Sequence, residues 1–194
     1  VICISDPLRK EAKEAIQALH ACGISKVVMM TGDSRRTAEA VAREVGVDQF
    51  YAEVLPEDKA NFVRQEKAAG RKVIMIGDGV NDTPALSEAD VGIAINTGAA
   101  IAREIADVTI ASEDLFELVT LRKISQALMG RIQRNYRFIV GFNLMLIVLG
   151  VTGVIQPTTS ALLHNASTLG ISLDSMTDLL DKDKEKALPE TESA

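Results

Sequence analysis

The chain has 194 residues and a formal net charge of −6, and 47% of its residues are hydrophobic while 25% are charged. This balance fits a packed core and excludes a wholly disordered chain. Only 4% of the residues are aromatic, and the basic residues form no stripe interleaved with stacking side chains. The composition therefore argues against a nucleic-acid partner.

The first half of the chain alternates short apolar runs with amphipathic helical stretches. This alternation predicts an α/β fold with a Rossmann-like parallel sheet. The predicted strands are Val1–Ser5, Lys26–Thr31, Phe50–Val54, Val73–Ile76, Val91–Ile95 and Val108–Ala111. The predicted helices are Leu8–Ala21, Ser34–Val45, Glu57–Ala69, Thr83–Glu88 and Gly98–Glu104.

A polar segment that begins at Gly77 follows the fourth of these strands. It places Asp78 and Asp82 four residues apart, and two carboxylates at the carboxyl end of a parallel strand suit a hard cation such as Mg²⁺. Gly77 and Gly79 allow the backbone to approach a phosphate, and Asn81 adds a side-chain amide. The alternative interpretation is a polar turn made of ordinary turn residues.

Two upstream segments strengthen the phosphate interpretation. The second predicted strand ends at Thr31, Gly32 and Asp33, and a hydroxyl with backbone N–H groups at a strand-to-helix turn forms a phosphate cradle. Pro56 opens the third predicted helix and places Lys59 in its first turns. A lysine gains nothing from the helix dipole there, so its alternative interpretation is a solvated surface lysine.

The second half of the chain is predicted to be helical and to reach a membrane. One long amphipathic helix is expected over Glu113–Arg137, with Ser112 as its N-cap, and Phe138–Ile155 then contains no charge in eighteen residues. That length spans hydrocarbon, and the basic flank places the amino end in the cytoplasm. The basic residues of this flank are Arg122, Lys123, Arg131, Arg134 and Arg137.

A second apolar stretch follows a predicted exit turn at Gln156–Thr159 and extends to Leu180, which predicts a transmembrane hairpin. Its polar residues are expected to face a bundle interior and to line a transport path. The alternative is that they bridge helices without contacting any cargo, and the same choice applies to Asn143. The candidates on this second helix are His164, Asn165 and Thr168, with Ser167 beside them.

The three motifs in this order resemble the second to fourth motifs of the haloacid dehalogenase superfamily. More closely, T-G-D, then P-x-x-K, then G-D-G-V-N-D-x-P-A-L resemble the phosphorylation domain of P-type ATPases, in particular the heavy-metal branch. The resemblance runs from about Asp6 to Leu180. It implies ATP as the substrate and Mg²⁺ as the cofactor.

The resemblance also implies roles for individual residues. Thr31 and Asp33, with Gly32 between them, would contact or position the phosphoryl group, and Lys59 would neutralise its oxygens. The residues implied at the magnesium and phosphate site are Asp78 as the metal ligand, with Asn81 and Asp82 in support.

A transition-metal cation is the implied cargo, and His164-Asn165-Ala166-Ser167-Thr168 lies where this branch keeps its metal-selecting residues. Imidazole favours Zn, Co, Ni or Fe, while amide and hydroxyl oxygens tolerate Mn. The methionine and serine pairs of copper exporters are absent from this helix, so copper(I) is not the expected cargo. Asp174 and Asp178 also depart from the branch, which commonly ends in asparagine and arginine.

The family's nucleophile, the aspartate of D-K-T-G-T, is absent from the sequence. We therefore expect the missing upstream part of the same pump to be a partner of this chain, and the chain alone to be inactive. The expected location is multi-pass in the plasma membrane of a prokaryote, in contact with lipid, with the phosphorylation domain cytoplasmic.

Two alternatives concern Asp6. It follows the first predicted strand, as a nucleophile must, so the chain could be a soluble haloacid dehalogenase-type phosphatase. Pro7-Leu8-Arg9 supplies none of the residues of that superfamily's first motif, however, and Asp6 as an N-cap before Pro7 explains the same sequence. The other alternative is an inactive truncated pump.

The expected division of the chain has four parts. The carboxyl-terminal part of a phosphorylation domain occupies 1–112, a linker helix 113–137, two transmembrane helices 138–180 and a cytoplasmic tail 181–194.

Overall fold

A computed structural model of the chain describes residues 8–77, 80–95, 104–110 and 114–179. The chain divides into two compact units, 1–120 and 121–194. The predicted first strand, the two residues Asp78 and Gly79, and nearly all of the helix predicted at Gly98–Glu104 lie outside the described residues.

The first unit is an α/β fold built on parallel strand pairs. Its strands are β1 (Val28–Met30), β2 (Gln49–Tyr51), β3 (Ile74–Gly77), β4 (Val91–Ile95) and β5 (Val108–Ile110). Its helices are α1 (Ala12–Ala21), α2 (Arg35–Val45), α3 (Pro56–Ala68) and α4 (Thr83–Glu88), with a one-turn 3₁₀ helix at Val80–Asp82. β1 pairs with β2, and β3, β4 and β5 form a separate sheet in that order. The predicted parallel α/β class is confirmed.

Local capping explains where two of the helices begin. Ser34 precedes α2 and its hydroxyl accepts the backbone N–H of Thr37 at 3.4 Å. Pro56 opens α3, and the Asp58 carboxylate accepts the N–H of Leu55 at 3.1 Å. Both arrangements satisfy backbone donors that a helix start leaves unpaired.

The predicted start of α1 at Leu8 is wrong, because the helix begins at Ala12. The N–H of Ala12 bonds to the carbonyl of Arg9 at 3.1 Å, which closes a tight turn instead of a helical one. The N-cap residue Glu11 makes no side-chain capping bond. The capping role predicted for Asp6 lies outside the described residues.

A compact apolar cluster holds α3, α4 and β3 together. It consists of Ala60, Val63, Met75, Ala85 and Leu86. Met30 from β1 packs against the same cluster. β1 and β3 therefore contact one core although they belong to separate sheets.

Three aspartates repeat one arrangement at the start of the strands. Each aspartate immediately precedes a strand, and its carboxylate accepts a backbone N–H within one residue of the start of the neighbouring strand. The donor and acceptor pairs are Val27 with Asp48 (2.6 Å), Val73 with Asp90 (2.9 Å) and Gly92 with Asp107 (2.8 Å).

The second unit is a pair of helices. α5 (Phe116–Val151) begins in the first unit and supplies one of them, and α6 (Pro157–Ser175) is the other. The predicted start of α5 at Glu113 is wrong, since the Asp114 carboxylate accepts the N–H of Phe116 at 2.8 Å and the helix begins at Phe116. The predicted N-cap Ser112 lies outside the described residues.

The connection between α5 and α6 also differs from the prediction. The turn precedes Pro157 and contains Gly153, whose φ of 75° suits glycine. Thr158 and Thr159, predicted as turn residues, belong to α6, because Pro157 fits the first helical position. The helix ends at Ser175, before the predicted end at Leu180.

Among the described residues one helix, α5, is long and apolar enough to cross a membrane, and 6% of its apolar eighteen-residue window is buried. α6 does not meet the same criterion, because serine, threonine, histidine and asparagine interrupt its apolar residues. The second membrane helix therefore stays a prediction.

Candidate functional site

The described polar residues of the first and third motifs lie where strands end. Thr31 to Asp33 follow β1, and Asp82 lies on the 3₁₀ turn that follows β3. Lys59 lies in the first turn of α3, directly after the capped residues. Asp78 and Gly79, predicted as a metal ligand and a phosphate-approach residue, lie outside the described residues.

An ion pair between Lys59 and Asp82 is the centre of this region. Lys59 Nζ lies 2.8 Å from Asp82 Oδ1, and the two side chains are only 15% and 12% exposed. Within the described ranges, Asp82 is the one charged residue that counts as buried, with 9% of its surface exposed. A pair so shielded from water retains a strong local field, because solvent screens it little.

Gly77 makes room for this pair. A Cβ on Gly77 would lie 2.5 Å from the Asp82 Cβ and 2.9 Å from its Oδ2. No side chain fits there, so glycine allows Asp82 to lie directly against the end of β3. Sequence reasoning assigned Gly77 to phosphate approach and missed this packing role, because nothing in the spacing of the motif reveals which side chain folds back onto the strand.

The loop after β1 is ordered by its own side chains. Thr31 Oγ1 donates to the Asp33 carboxylate at 2.9 Å and accepts the Asp33 backbone N–H at 3.1 Å. Backbone bonds join this loop to the segment before α3, since Glu53 N–H reaches the Asp33 carbonyl and Val54 N–H reaches the Thr31 carbonyl. The predicted residues Thr31 and Asp33 are thus brought together.

Glu53 adopts a left-handed backbone conformation, with φ of 57°. A residue with a Cβ pays a conformational cost there. Sequence reasoning missed Glu53, because a glutamate carries no signal for positive φ.

Two further polar residues border Asp82. The Asn81 side chain is exposed. Thr83 Oγ1 is buried and has no hydrogen-bond partner within the described ranges. The described residues contain no group of three or more metal-ligating side chains.

The second unit brings His164 and Asn143 together, with His164 Nδ1 lying 2.9 Å from Asn143 Oδ1. An amide oxygen only accepts, so Nδ1 is the donor in this bond, and in the neutral imidazole Nε2 is then the nitrogen with the lone pair. Ser167 and Thr168 donate their hydroxyls to the His164 carbonyl, at 2.8 and 3.0 Å. Asn165 is exposed.

Residues 1–90 match the family model of haloacid dehalogenase-like hydrolases. The chain is 46% identical over 163 residues to copper-transporting ATPase 2 of Rhizobium meliloti (strain 1021), covering 84% of this chain and 20% of that protein. It is 41% identical over 176 residues to the manganese-exporting P-type ATPase of Mycobacterium leprae (strain TN), covering 90% and 24%. A crystal structure of a zinc-transporting PIB-type ATPase in the E2.Pi state superposes with a TM-score of 0.82 at 33% identity, covering 88% of this chain and 28% of the other.

The chain belongs to the heavy-metal branch of the P-type ATPases. The predicted resemblance is thereby confirmed for the family. The chain spans 20% to 24% of the length of these two curated P-type ATPases. The three similar proteins are named for copper, manganese and zinc, so membership in the branch does not select a metal.

Proposed function

We propose that this chain is the phosphoryl-handling part, with two membrane helices, of a pump that couples ATP hydrolysis to the movement of a transition-metal cation. The observation that carries the proposal is the shielded Lys59–Asp82 pair at the end of β3. An ammonium fixed by a buried carboxylate is preorganised to meet phosphoryl oxygens, and such electrostatic preorganisation is the largest part of phosphoryl-transfer catalysis.

The described residues of the candidate site each have a role in this proposal. Lys59 neutralises the charge that spreads over the phosphoryl oxygens, and Asp82 holds its ammonium in place. The Thr31 hydroxyl and the backbone around Gly32 orient the same group, and Asp33 holds that hydroxyl.

Mg²⁺ fits the residues beside this pair. Asp82 Oδ1 is used by Lys59, while Oδ2 accepts no hydrogen bond from the described residues and the neighbouring Thr83 hydroxyl is an orphan. Asp78 and the Asp82 Oδ2 would hold the ion, with Asn81 in support, as hard oxygen ligands. When bound, the ion supplies positive charge to the transferring phosphoryl group.

The nucleophilic aspartate is proposed to arrive on a strand between β1 and β3. These two strands contact one apolar cluster, yet no described strand bridges them. A parallel strand placed there would join the two sheets. Its carboxyl end would bring the aspartate of D-K-T-G-T towards Lys59.

The transported cation is proposed to bind near His164 and Asn143, with Thr168 and Asn165 as weaker candidates. The Nε2 lone pair suits a borderline divalent ion, and the bond from Nδ1 to Asn143 would fix the imidazole as a ligand. We propose Zn, Mn or a similar ion and not copper(I). The proposed setting is the plasma membrane of a prokaryote, with lipid around the helices and the first unit in the cytoplasm.

ATPase activity of a pump containing this chain, measured in membranes over a panel of metals, tests the proposal. Metal-stimulated turnover is expected, and Asp78→Ala should abolish it because the ion loses its main ligand. Lys13→Ala is the matched control, since Lys13 is an exposed residue of α1. Near-normal turnover of Asp78→Ala would contradict the magnesium assignment.

A phosphatase is the second candidate, and the match of residues 1–90 to haloacid dehalogenase-like hydrolases favours it. It would require Asp6 as the nucleophile. The 194-residue chain should then hydrolyse small phosphate esters and lose this activity in Asp6→Asn. We expect no such phosphatase activity. An inactive truncated pump would show none either, and an upstream segment that restores pump activity to this chain would exclude that alternative.

A further inference from the structure

Arg131 on α5 makes an unusual set of contacts with the end of α6. Its guanidinium donates to the backbone carbonyls of Ser175, Thr177 and Asp178, at 3.3, 2.6 and 2.8 Å. The last carbonyls of a helix have no partner within the helix. Arg131 therefore satisfies the carbonyl of Ser175, the last residue of α6, and two carbonyls just beyond it. It also places a cation at the negative end of the helix dipole.

Two neighbouring contacts on α5 extend this arrangement. Arg134 forms an ion pair with Asp174 at 2.9 Å, and Asn135 donates to the Ser175 hydroxyl at 3.3 Å. We call these contacts, together with those of Arg131, the α6 clamp. All donors of the clamp lie on one face of α5, because their spacing is three and four residues.

The α6 clamp and the His164–Asn143 bond share one antiparallel register. Moving from Asn143 to Arg134 covers nine residues of α5, and moving from His164 to Asp174 covers ten residues of α6. Three more residues along each segment lead to Arg131 on α5 and to Thr177, two residues beyond the end of α6. A slide of one helical turn, about 5.4 Å, would break every one of these contacts.

Apolar packing contributes little to this register. α6 has no buried residue along its whole length, and at membrane depth lipid is as apolar as leucine, so hydrophobic burial does not select one register. The short turn before Pro157 fixes one end of the helix pair. The α6 clamp is the described set of contacts that fixes the other end, with the His164–Asn143 bond between them.

We propose that Arg131 is a positioning residue that sets the register of α6 on α5 and so brings His164 to Asn143. Its consequence for the cation rests on the proposed function, whereas the register itself does not. Loss of Arg131 leaves α6 free to slide or swing about the turn, and the imidazole then loses the acceptor that fixes its protonation.

Thiol cross-linking of the full chain in detergent measures the register directly. Cys3 and Cys22 are first replaced by serine, and cysteines are introduced by Asn143→Cys and His164→Cys. A short bifunctional methanethiosulfonate joins them. A second pair, Ile139→Cys with His164→Cys, reports a one-turn slide.

Adding Arg131→Gln should slow cross-linking of the first pair by about tenfold, because one polar contact between membrane helices changes an equilibrium by a few-fold and Arg131 makes several. The cross-linking rate of the second pair should rise. Arg131→Lys should restore part of the rate, since one ammonium still reaches a carbonyl. Arg137→Gln is the matched control, because Arg137 is exposed on the same helix and has no partner within the described ranges.

An unchanged rate in Arg131→Gln would overturn the proposal, and so would an equal loss in Arg137→Gln. Circular dichroism of each variant checks that both helices persist, and an unfolded Arg131→Gln leaves Arg131→Lys to decide. The measurement needs neither ATP nor a cation. Failure of the pump assignment would therefore appear in the ATPase assay and not here.

Discussion

Two ion pairs in the first unit differ sharply in exposure. The Lys59 and Asp82 side chains are 15% and 12% exposed, whereas Arg43 and Glu39 on α2 are 79% and 44% exposed. Coulomb attraction is screened by water in the second pair and much less in the first. Exposure, and not the N–O distance, should therefore decide how much each pair stabilises the fold.

A double-mutant cycle with Lys59→Met and Asp82→Asn should give a coupling energy of about 2 kcal/mol, since loss of one partner leaves a shielded charge unpaired. The same cycle with Arg43→Met and Glu39→Gln should give about 0.3 kcal/mol. Urea unfolding of the full chain in detergent, followed by circular dichroism, measures both. Equal couplings would mean that the Lys59–Asp82 pair is as well solvated as a surface pair.

Gly77→Ala should destabilise the first unit by about 1–3 kcal/mol, because the new Cβ overlaps Asp82 and must push it from Lys59. Gly130→Ala is the control, since nothing lies within 4 Å of its Cβ position on α5. That change should be neutral or stabilise the helix by up to about 1 kcal/mol. The same urea titration applies, and an unaffected Gly77→Ala would show that Asp82 is not confined by β3.

At the residue scale, the sequence supplied candidate residues but not the contacts between them. Lys59, Asp82, Thr31 and Asp33 were all selected from motif spacing and turn chemistry. Their roles at a phosphoryl site stay predictions. The ion pair between Lys59 and Asp82 was not predicted, because the two residues are 23 apart in sequence and only the packing of α3 on α4 brings them together. Local pattern carries no information about such tertiary distances.

At the scale of elements, the aspartates at the strand starts stabilise the sheets through backbone donors. The Val73 N–H bond to Asp90, assisted by the Lys72 ammonium, holds the pKa of that carboxyl below its ordinary value of 3.8. A carboxyl with a lowered folded pKa contributes its full stability above 3.8. That contribution is lost as the pH falls through the lower folded value.

Asp90→Asn should therefore be less stable than the unaltered chain at neutral pH, and the difference should shrink as the pH falls below 3.8. Urea titrations at a series of pH values measure it. Glu14→Gln on the exposed face of α1 is the control for a general loss of negative charge. A difference that stays constant or grows on acidification would contradict the role of the Val73–Asp90 bond.

Elements with strong local signals were predicted to the residue. β4 and α4 begin and end where the apolar run and the Thr83-Pro84 start placed them. The start of α1 and the α5–α6 turn were misplaced, because competing local hydrogen bonds, at Arg9 and around Gly153, decide them. The periodicity of apolar residues does not show whether such a local hydrogen bond or one more helical turn is the more stable arrangement.

At the scale of the whole molecule, the proposed transport function assigns metal selection to the helix pair. His164→Ala should alter the profile of metal-stimulated ATPase activity while phosphoenzyme formation from inorganic phosphate persists, because the Lys59 region is untouched. Leu162→Ala is the matched control, since Leu162 lies on the same helix and is 69% exposed. An unchanged metal profile in His164→Ala would reduce His164 to a helix-packing residue.

Phosphorylation by γ-labelled ATP of a pump containing this chain tests most directly whether Lys59 stabilises the transferring phosphoryl group. A hydroxylamine-sensitive, metal-dependent phosphoenzyme is expected in the unaltered protein. In Lys59→Met its turnover should fall at least about a hundredfold, the cost of removing one preorganised charge-stabilising donor. A metal-dependent phosphoenzyme that turns over normally in Lys59→Met, or none in the unaltered protein, would contradict this role of Lys59.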